Sequence, residues 1–358
     1  MDPYIPGKSI EELKREQGIV EITRLGSNEN PIGPSPKAII AMKKAVEESH
    51  LYPDSTYLDL RSKLGELDGL DPEQYVVANG ADNIIKLIGN AYINPSDEVV
   101  YCTPTFTAYK SIVLLMGGIP VEVPSCANYD IDLEAMYNAI NEKTKLVVIV
   151  NPNNPTGTIA NKEELRSFLN RIPEHVIVVL DEAYIDYVET KDYPTGIDFI
   201  KEGFSVISIR TFSKLYGLAG IRVGYAVASK ELLLPVQRVR EVFSCNRVAS
   251  AGAIAALEDK EHKLKVLKEN KSEKVRLVEG LRRLGYEVTN SYTNFLFVNM
   301  LRDTTEISTT LFRMGLIIRP CAPWGLSTHA RITVGTKEQN DKLIYALQNL
   351  DEAAVKGC

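Results

Sequence analysis

The sequence is poor in cysteine, histidine and tryptophan: its 358 residues hold five, four and one of them. Cys102, Cys126, Cys245, Cys321 and Cys358 are odd in number, scattered and without C-x-x-C spacing, which argues against a disulfide framework and for free thiols in a reducing cytoplasm. The histidines show no paired spacing, so no metal site is expected. Long apolar runs are missing too. "KLVVIV" and "VIVVL" have strand length, far short of the ~20 residues of a membrane-spanning helix. The polar opening "MDPYIPGKSIEELKREQG" lacks the apolar stretch of a secretory signal, so a cytoplasmic location is expected. Clustered basic charge is likewise absent. The net charge is −6 with Lys and Arg spread along the chain, which argues against nucleic-acid or anionic-membrane partners. Neither G-x-G-x-x-G nor G-x-x-x-x-G-K-[ST] occurs, which removes the usual signals for a dinucleotide or a P-loop nucleotide.

What remains is an ordinary globular composition, 44% hydrophobic and 25% charged, over a length that favours two packed units. The start is irregular, since the prolines and glycine of "NENPIGPSP" at 28–36 forbid long regular structure; a helix is expected at about 36–49. From about 75 to 230, short β-branched runs ("QYVVAN", "EVVYC", "KLVVIVN", "HVIVVLD", "FSVISIR", "RVGYAVA") alternate with helix-length segments. Continuous apolar strands of this kind predict an α/β fold, a mostly parallel sheet flanked by helices. After about 245 the texture changes. A charged helical stretch ends at Gly285, and short strands ("YEVT", "NFLFVN", "LIIRP", "ARITVG") follow with helices near 304–314 and 337–349. This predicts a smaller α+β domain. The expected division is an N-terminal arm contributing to the small domain over 1–45, a large domain over 46–255 and a small domain over 256–358.

Ligands bind at the carboxyl ends of strands in open α/β sheets, so the residues after each strand carry the chemistry. After "YVVAN", Gly80-Ala81-Asp82 turns into a helix, an anion site or simply a capped glycine turn. After "KLVVIV" comes "NPNNPTG" at 151–157, a rigid loop rich in amide side chains or a plain turn. Asp181 ends a buried apolar strand, with Tyr184 three residues on. A carboxylate there needs a cationic or protonated partner, which could equally be a structural ion pair. After "FSVISIR", Lys214 lies between Ser213 and Leu215, with Arg222 eight residues on. A desolvated lysine is the residue for Schiff-base chemistry, and Ser213 and Arg222 can serve an anion; a surface lysine is the plain alternative. Together these groups match the needs of pyridoxal 5'-phosphate: an amine, a partner for the pyridinium nitrogen and a phosphate site.

The motifs "NENPIGPSP", "NGAD", "NPNNPTG", "DEAY", "TFSKLYGLAGIRVGY" and "RITVGT" stand in the order shown by fold-type-I aminotransferases, and nearly the whole chain resembles that family. "PYIPGK" and "NENPIGPSPKA" look most like its histidinol-phosphate aminotransferase branch. The resemblance implies an aspartate-aminotransferase-like fold and a homodimer. It also implies that Lys214 forms the internal aldimine and shuttles a proton. Asp181 would hold the pyridine nitrogen protonated, with Asn154 and Tyr184 on the ring oxygen. Ala81, Asp82, Ser213 and Arg222 would hold the phosphate, Phe106 would stack on the ring, and Tyr52 would reach the partner's cofactor. Arg331 is implied to bind the substrate's anionic end, with Arg319 and Tyr4 as further candidates and Asn30 lining the entrance.

Two stretches depart from the family pattern, "CAPWGL" at 321–326 and "FSCNRVASAGAIAAL" at 243–257, and both are expected near the substrate. Trp324 could equally be a packing residue. The expected reaction is transamination of L-histidinol phosphate with 2-oxoglutarate, because paired arginines suit both anions. An aromatic amino-acid aminotransferase is the alternative, an amino-acid-phosphate decarboxylase a more distant one. A silent regulator on the same scaffold would be expected to lose the lysine, which is present.

Overall fold

The computed structural model describes residues 22–350. Tyr4 lies outside the described residues, so its expected role stays with the sequence.

Along the chain, β1 (Thr23–Arg24) precedes β2 (Tyr75–Ala78), β3 (Glu98–Thr103), β4 (Ile119–Pro124), β5 (Thr144–Val150), β6 (Ile177–Asp181), β7 (Val206–Thr211) and β8 (Gly224–Val227). Strands β2 to β8 form a seven-stranded sheet in the order β2-β8-β7-β6-β5-β3-β4. Every pair is parallel except those made by β8, which runs antiparallel to both β2 and β7. The sequence pattern anticipated six of these strands and missed β4. That strand carries Pro120 and Pro124 and sits at the sheet's edge, the one place where residues without an N–H donor are tolerated.

Alternate residues of one strand enter two cores. Val147 and Ile149 of β5 pack with the helices on one face, and Leu146, Val148 and Val150 pack with those on the other. Burial on both faces is why these strands read as unbroken apolar runs. The Pro36–Val46 helix, started by Ser35 whose side chain caps Ala38 N–H, packs against the Arg247–Glu258 helix with Ala38 in the first of these cores. It therefore lies on the large sheet's side.

The expected charged helix is Lys260–Arg283, and a separate helix, Arg247–Glu258, precedes it. Arg247–Glu258 ends at Asp259, whose carboxylate then caps the Lys260–Arg283 helix by accepting from His262 N–H. Beyond it come β9 (Glu287–Val288), β10 (Phe295–Asn299), β11 (Leu316–Ile317), β12 (Arg319–Pro320) and β13 (His329–Thr333). Four of them form an antiparallel sheet in the order β12-β13-β10-β9. Its core takes Leu277 and Leu281 from the long helix, Ile307 and Leu311 from Thr304–Arg313, and Leu343 and Leu347 from Lys337–Gln348. β1 pairs in parallel with β11 as a separate two-stranded sheet, and Leu25 enters the small sheet's core, so the segment just before "NENPIGPSP" is tied to the small unit.

Candidate active site

Between the carboxyl ends of β5, β6 and β7 and the face of the small sheet lies a cavity of about 650 Å³. It is lined by Ala81, Asp82, Phe106, Asn154, Asp181, Tyr184, Ser213, Lys214 and Arg222 from the large side and by Arg319 and Arg331 from the small side. The fold thus brings eleven of the sequence-derived residues to one space.

The anion end is built from backbone and glycine. Gly80, at φ +83°, opens the Ala81–Tyr92 helix and offers no side chain to cap the first-turn amides. A Cβ on Gly80 would lie 2.5 Å from Arg222 Nη2, and one on Gly224 would lie 2.7 Å from Ala81 N. Both glycines are the reason the helix start, β8 and the Arg222 guanidinium can converge. Arg222 Nη1 donates to Ala219 O at 3.0 Å and Ser213 Oγ at 3.4 Å, and Nη2 pairs with the Asp82 carboxylate at 3.3 Å. An incoming anion meets the helix N-terminus, a hydroxyl and a guanidinium together.

At the centre, β6 ends in two neighbouring carboxylates with opposite fates. Strand alternation turns Glu182 away from the cavity. There it accepts from Ser208 Oγ at 2.5 Å, Gly196 N at 2.8 Å and Arg210 at 3.0 Å. The structural ion pair that the sequence allowed for Asp181 belongs to Glu182. Asp181 is 3% exposed and among the described residues accepts only neutral donors, Tyr109 Oη at 2.8 Å and Ala183 N at 3.1 Å. Burial pushes its carboxyl up to about 6, against the pull of those two hydrogen bonds, with the charges of Asp82 and Glu182 adding to the rise. A buried acid at the cavity wall that accepts no cationic donor among the described residues is prepared for a cationic ligand atom.

Lys214 follows β7 on a turn that Gly217 (φ +67°) makes possible, since a Cβ there would meet the Gly33 backbone at 2.5 Å. Its Nζ donates to Ser27 O at 3.3 Å and lies 5.5 Å from the centre of the Tyr184 ring. Tyr184 Oη accepts from Asn28 Nδ2 at 2.9 Å, leaving its own hydrogen to donate. Asn154 Oδ1 accepts from Arg331 Nη1 at 2.5 Å, leaving its Nδ2 to donate. Arg331, only 8% exposed, is further fixed by Nη2 donating to Gly26 O at 2.6 Å and by the Phe295 ring 5.5 Å away.

Two expectations are changed by the geometry. Asn30 does not line the cavity; its Nδ2 is used on Leu215 O at 2.7 Å, bracing the residue after Lys214. Asn28, at φ +56° and hydrogen-bonded to Thr333 and Tyr184, takes the position expected of it. The 243–257 stretch lies outside the cavity, where Asn246 caps its helix and Phe243 stacks on Tyr52 with ring centres 4.3 Å apart. Tyr52 itself is 77% exposed and away from this chain's cavity. Sequence reasoning missed Asn28, Tyr109 and Arg24, the last a fourth arginine lining the cavity and paired with Glu29 at 3.3 Å. "TPTFTAY" held the Tyr109 signal, a tyrosine three residues after Phe106 that the Ala108–Leu115 helix turns toward β6.

The family profile described as aminotransferase class I and II matches residues 20–347. A curated histidinol-phosphate aminotransferase of Moorella thermoacetica is 43% identical, aligned over 97% of this chain and 90% of its own length. A solved structure titled as histidinol-phosphate aminotransferase from Sinorhizobium meliloti in complex with pyridoxal-5'-phosphate superposes with TM-score 0.91 at 29% identity, covering 98% of this chain and 96% of that one. A Thermus thermophilus aspartate aminotransferase double mutant superposes with TM-score 0.81 at 22% identity over 98% and 97% of the two chains, a likeness of fold. This chain has the aspartate-aminotransferase-like fold and belongs to the aminotransferase class I and II family, whose members move amino groups between amino and keto acids.

Proposed function

We propose that the protein binds pyridoxal 5'-phosphate in the 650 Å³ cavity and transfers the amino group of L-histidinol phosphate to 2-oxoglutarate in the cytoplasm. One observation carries the reading: a lysine amine, a buried carboxylate without a fixed cation and a built anion site share one cavity with Arg331 and Arg319. The residues fit the group. The glycine cradle of Gly80 and Gly224 with Ser213 and Arg222 matches a phosphate, and Asp181 matches a protonated ring nitrogen. Bound there, the cofactor supplies an aldehyde that condenses with amines and a protonated ring that draws electrons from the substrate's Cα.

The chain's own residues do the rest. Lys214 Nζ holds the cofactor and then carries the proton taken from Cα. Tyr184 Oη, aimed by Asn28, and Asn154 Nδ2, aimed by Arg331, donate to the ring oxygen. Phe106 offers a flat face to the ring. Arg331 and Arg319 take the anionic end of either substrate, a phosphate in one and a carboxylate in the other. Histidinol phosphate follows from the names of the relatives and from these arginines.

A homodimer completes the proposal. The exposed apolar side chains Leu51, Tyr52, Leu58, Val242 and Phe243 belong to two segments tied by the Tyr52–Phe243 stack, and they form the face on which a partner would sit, with the exposed Tyr52 toward that partner's cavity. The test of substrate is kcat/KM for histidinol phosphate against phenylalanine and tyrosine. A preference of about tenfold or more for histidinol phosphate is expected, and one of that size for the aromatic acids would replace this reading by the aromatic aminotransferase.

A further inference from the structure

Trp324, the only tryptophan of the chain, sits in the 3-10 turn Ala322–Trp324, closed by Gly325 at φ +77°. It is half-buried and does not line the cavity. Its indole Nε1 donates to the backbone oxygen of Thr105 at 2.7 Å, across the gap between the small sheet and the loop that carries Phe106. Thr105 is itself fixed, with Oγ1 donating to Asn153 Oδ1 at 2.8 Å, while Asn153 Nδ2 donates to Pro104 O at 2.9 Å. On its other side, the Trp324 ring lies 5.9 Å from the Arg319 guanidinium carbon. One side chain therefore links Arg319 to the loop that carries Phe106, both of which line the cavity.

We propose that Trp324 is a positioning residue for the substrate's distal anion, holding Arg319 by its ring face and fixing the distance from Arg319 to Phe106 by its N–H. The inference rests on the assignment of Arg319 to the anionic end. A cation over an indole face is held there electrostatically. The hydrogen bond to a main-chain oxygen sets the height of that platform, which a phenylalanine ring cannot do because it has no donor. The device makes affinity for an anionic donor depend on a residue that never touches it.

The test uses cofactor-loaded enzyme and the variants W324F, W324A and R319Q. W324A should raise KM for histidinol phosphate about tenfold with kcat within about twofold, and W324F, which keeps the ring face, about threefold. Cofactor absorbance should be unchanged in both. A packing role alone would lower the melting temperature and leave that split unmoved. Glutarate, a dianion that does not react, gives a second readout: it should change the emission of the single tryptophan in wild type and not in R319Q. Because glutarate binding does not require histidinol phosphate to be the donor, a wrong substrate leaves this measurement standing. If R319Q raises KM and weakens glutarate binding while W324A and W324F do neither, the Trp324 proposal is overturned. If R319Q itself changes neither, the assignment of Arg319 has failed and the proposal fails with it.

Discussion

Replacing Asp181 by asparagine should stabilise the cofactor-free protein at pH 8 while lowering the activity of the cofactor-loaded enzyme about a hundredfold. The reasoning starts from the carboxyl, raised from 3.8 to about 6 by burial. That displacement corresponds to about 3 kcal/mol at ~1.4 kcal/mol per tenfold. Because the folded value is the higher one, the folded state favours the neutral acid. The associated stability is fully present below pH 4 and is lost as pH rises from about 4 through 6. Asparagine carries no charge, so it escapes that loss. Its single acceptor oxygen can serve either Tyr109 Oη or Ala183 N, not both, which costs about 1 kcal/mol. Near pH 4 the variant should therefore be level with wild type or slightly weaker, and at pH 8 more stable by about 2 kcal/mol. Urea denaturation of the cofactor-free proteins across pH 4 to 8 measures the difference. With cofactor bound the order should reverse, and kcat/KM should fall by about a hundredfold, the worth of a charge-assisted hydrogen bond to the ring nitrogen. A stability difference that does not change with pH, or a variant that keeps its activity, would refute the claim that Asp181 is a charge held ready for a cation.

Gly80→Ala places a side chain at φ +83° and against Arg222 Nη2, so it should weaken cofactor binding at least tenfold while costing the fold about 1–2 kcal/mol; cofactor titration and thermal melts separate the two. Glu182→Ala leaves Arg210 buried without its partner and should destabilise the protein by about 3–5 kcal/mol, with cofactor affinity of the folded fraction unchanged, as read by denaturation and titration.

Most of the fold is legible because its signals are local. Strands buried on both faces announce themselves as β-branched runs, and the charged stretch ending at Gly285 announces the Lys260–Arg283 helix. The parts that were missed depend on position in the assembled sheet. β4 reads as a loop because of its prolines and is a strand only because it occupies an edge. The pairing of β1 with β11 joins segments from opposite ends of the described chain, which no local pattern encodes. The site divides in the same way. Asp181, Lys214 and Arg222 stand out because each is an odd residue at a strand end or beside glycines. That Arg210 serves Glu182 and leaves Asp181 without a cation follows from which face of β6 each carboxylate takes. Asn28 and Asn30 look alike in "NENPIGPSP", yet a left-handed backbone at Asn28 sends it to Tyr184 while Asn30 turns under Leu215.

The central claim is that Lys214 is the amine that carries the cofactor. Reduction of the purified yellow protein with borohydride, followed by proteolysis and mass spectrometry, reads this directly. The account predicts a reduced pyridoxyl adduct on the peptide containing Lys214, and no adduct in Lys214→Ala. An adduct on a different lysine, or an undiminished adduct in Lys214→Ala, would contradict it.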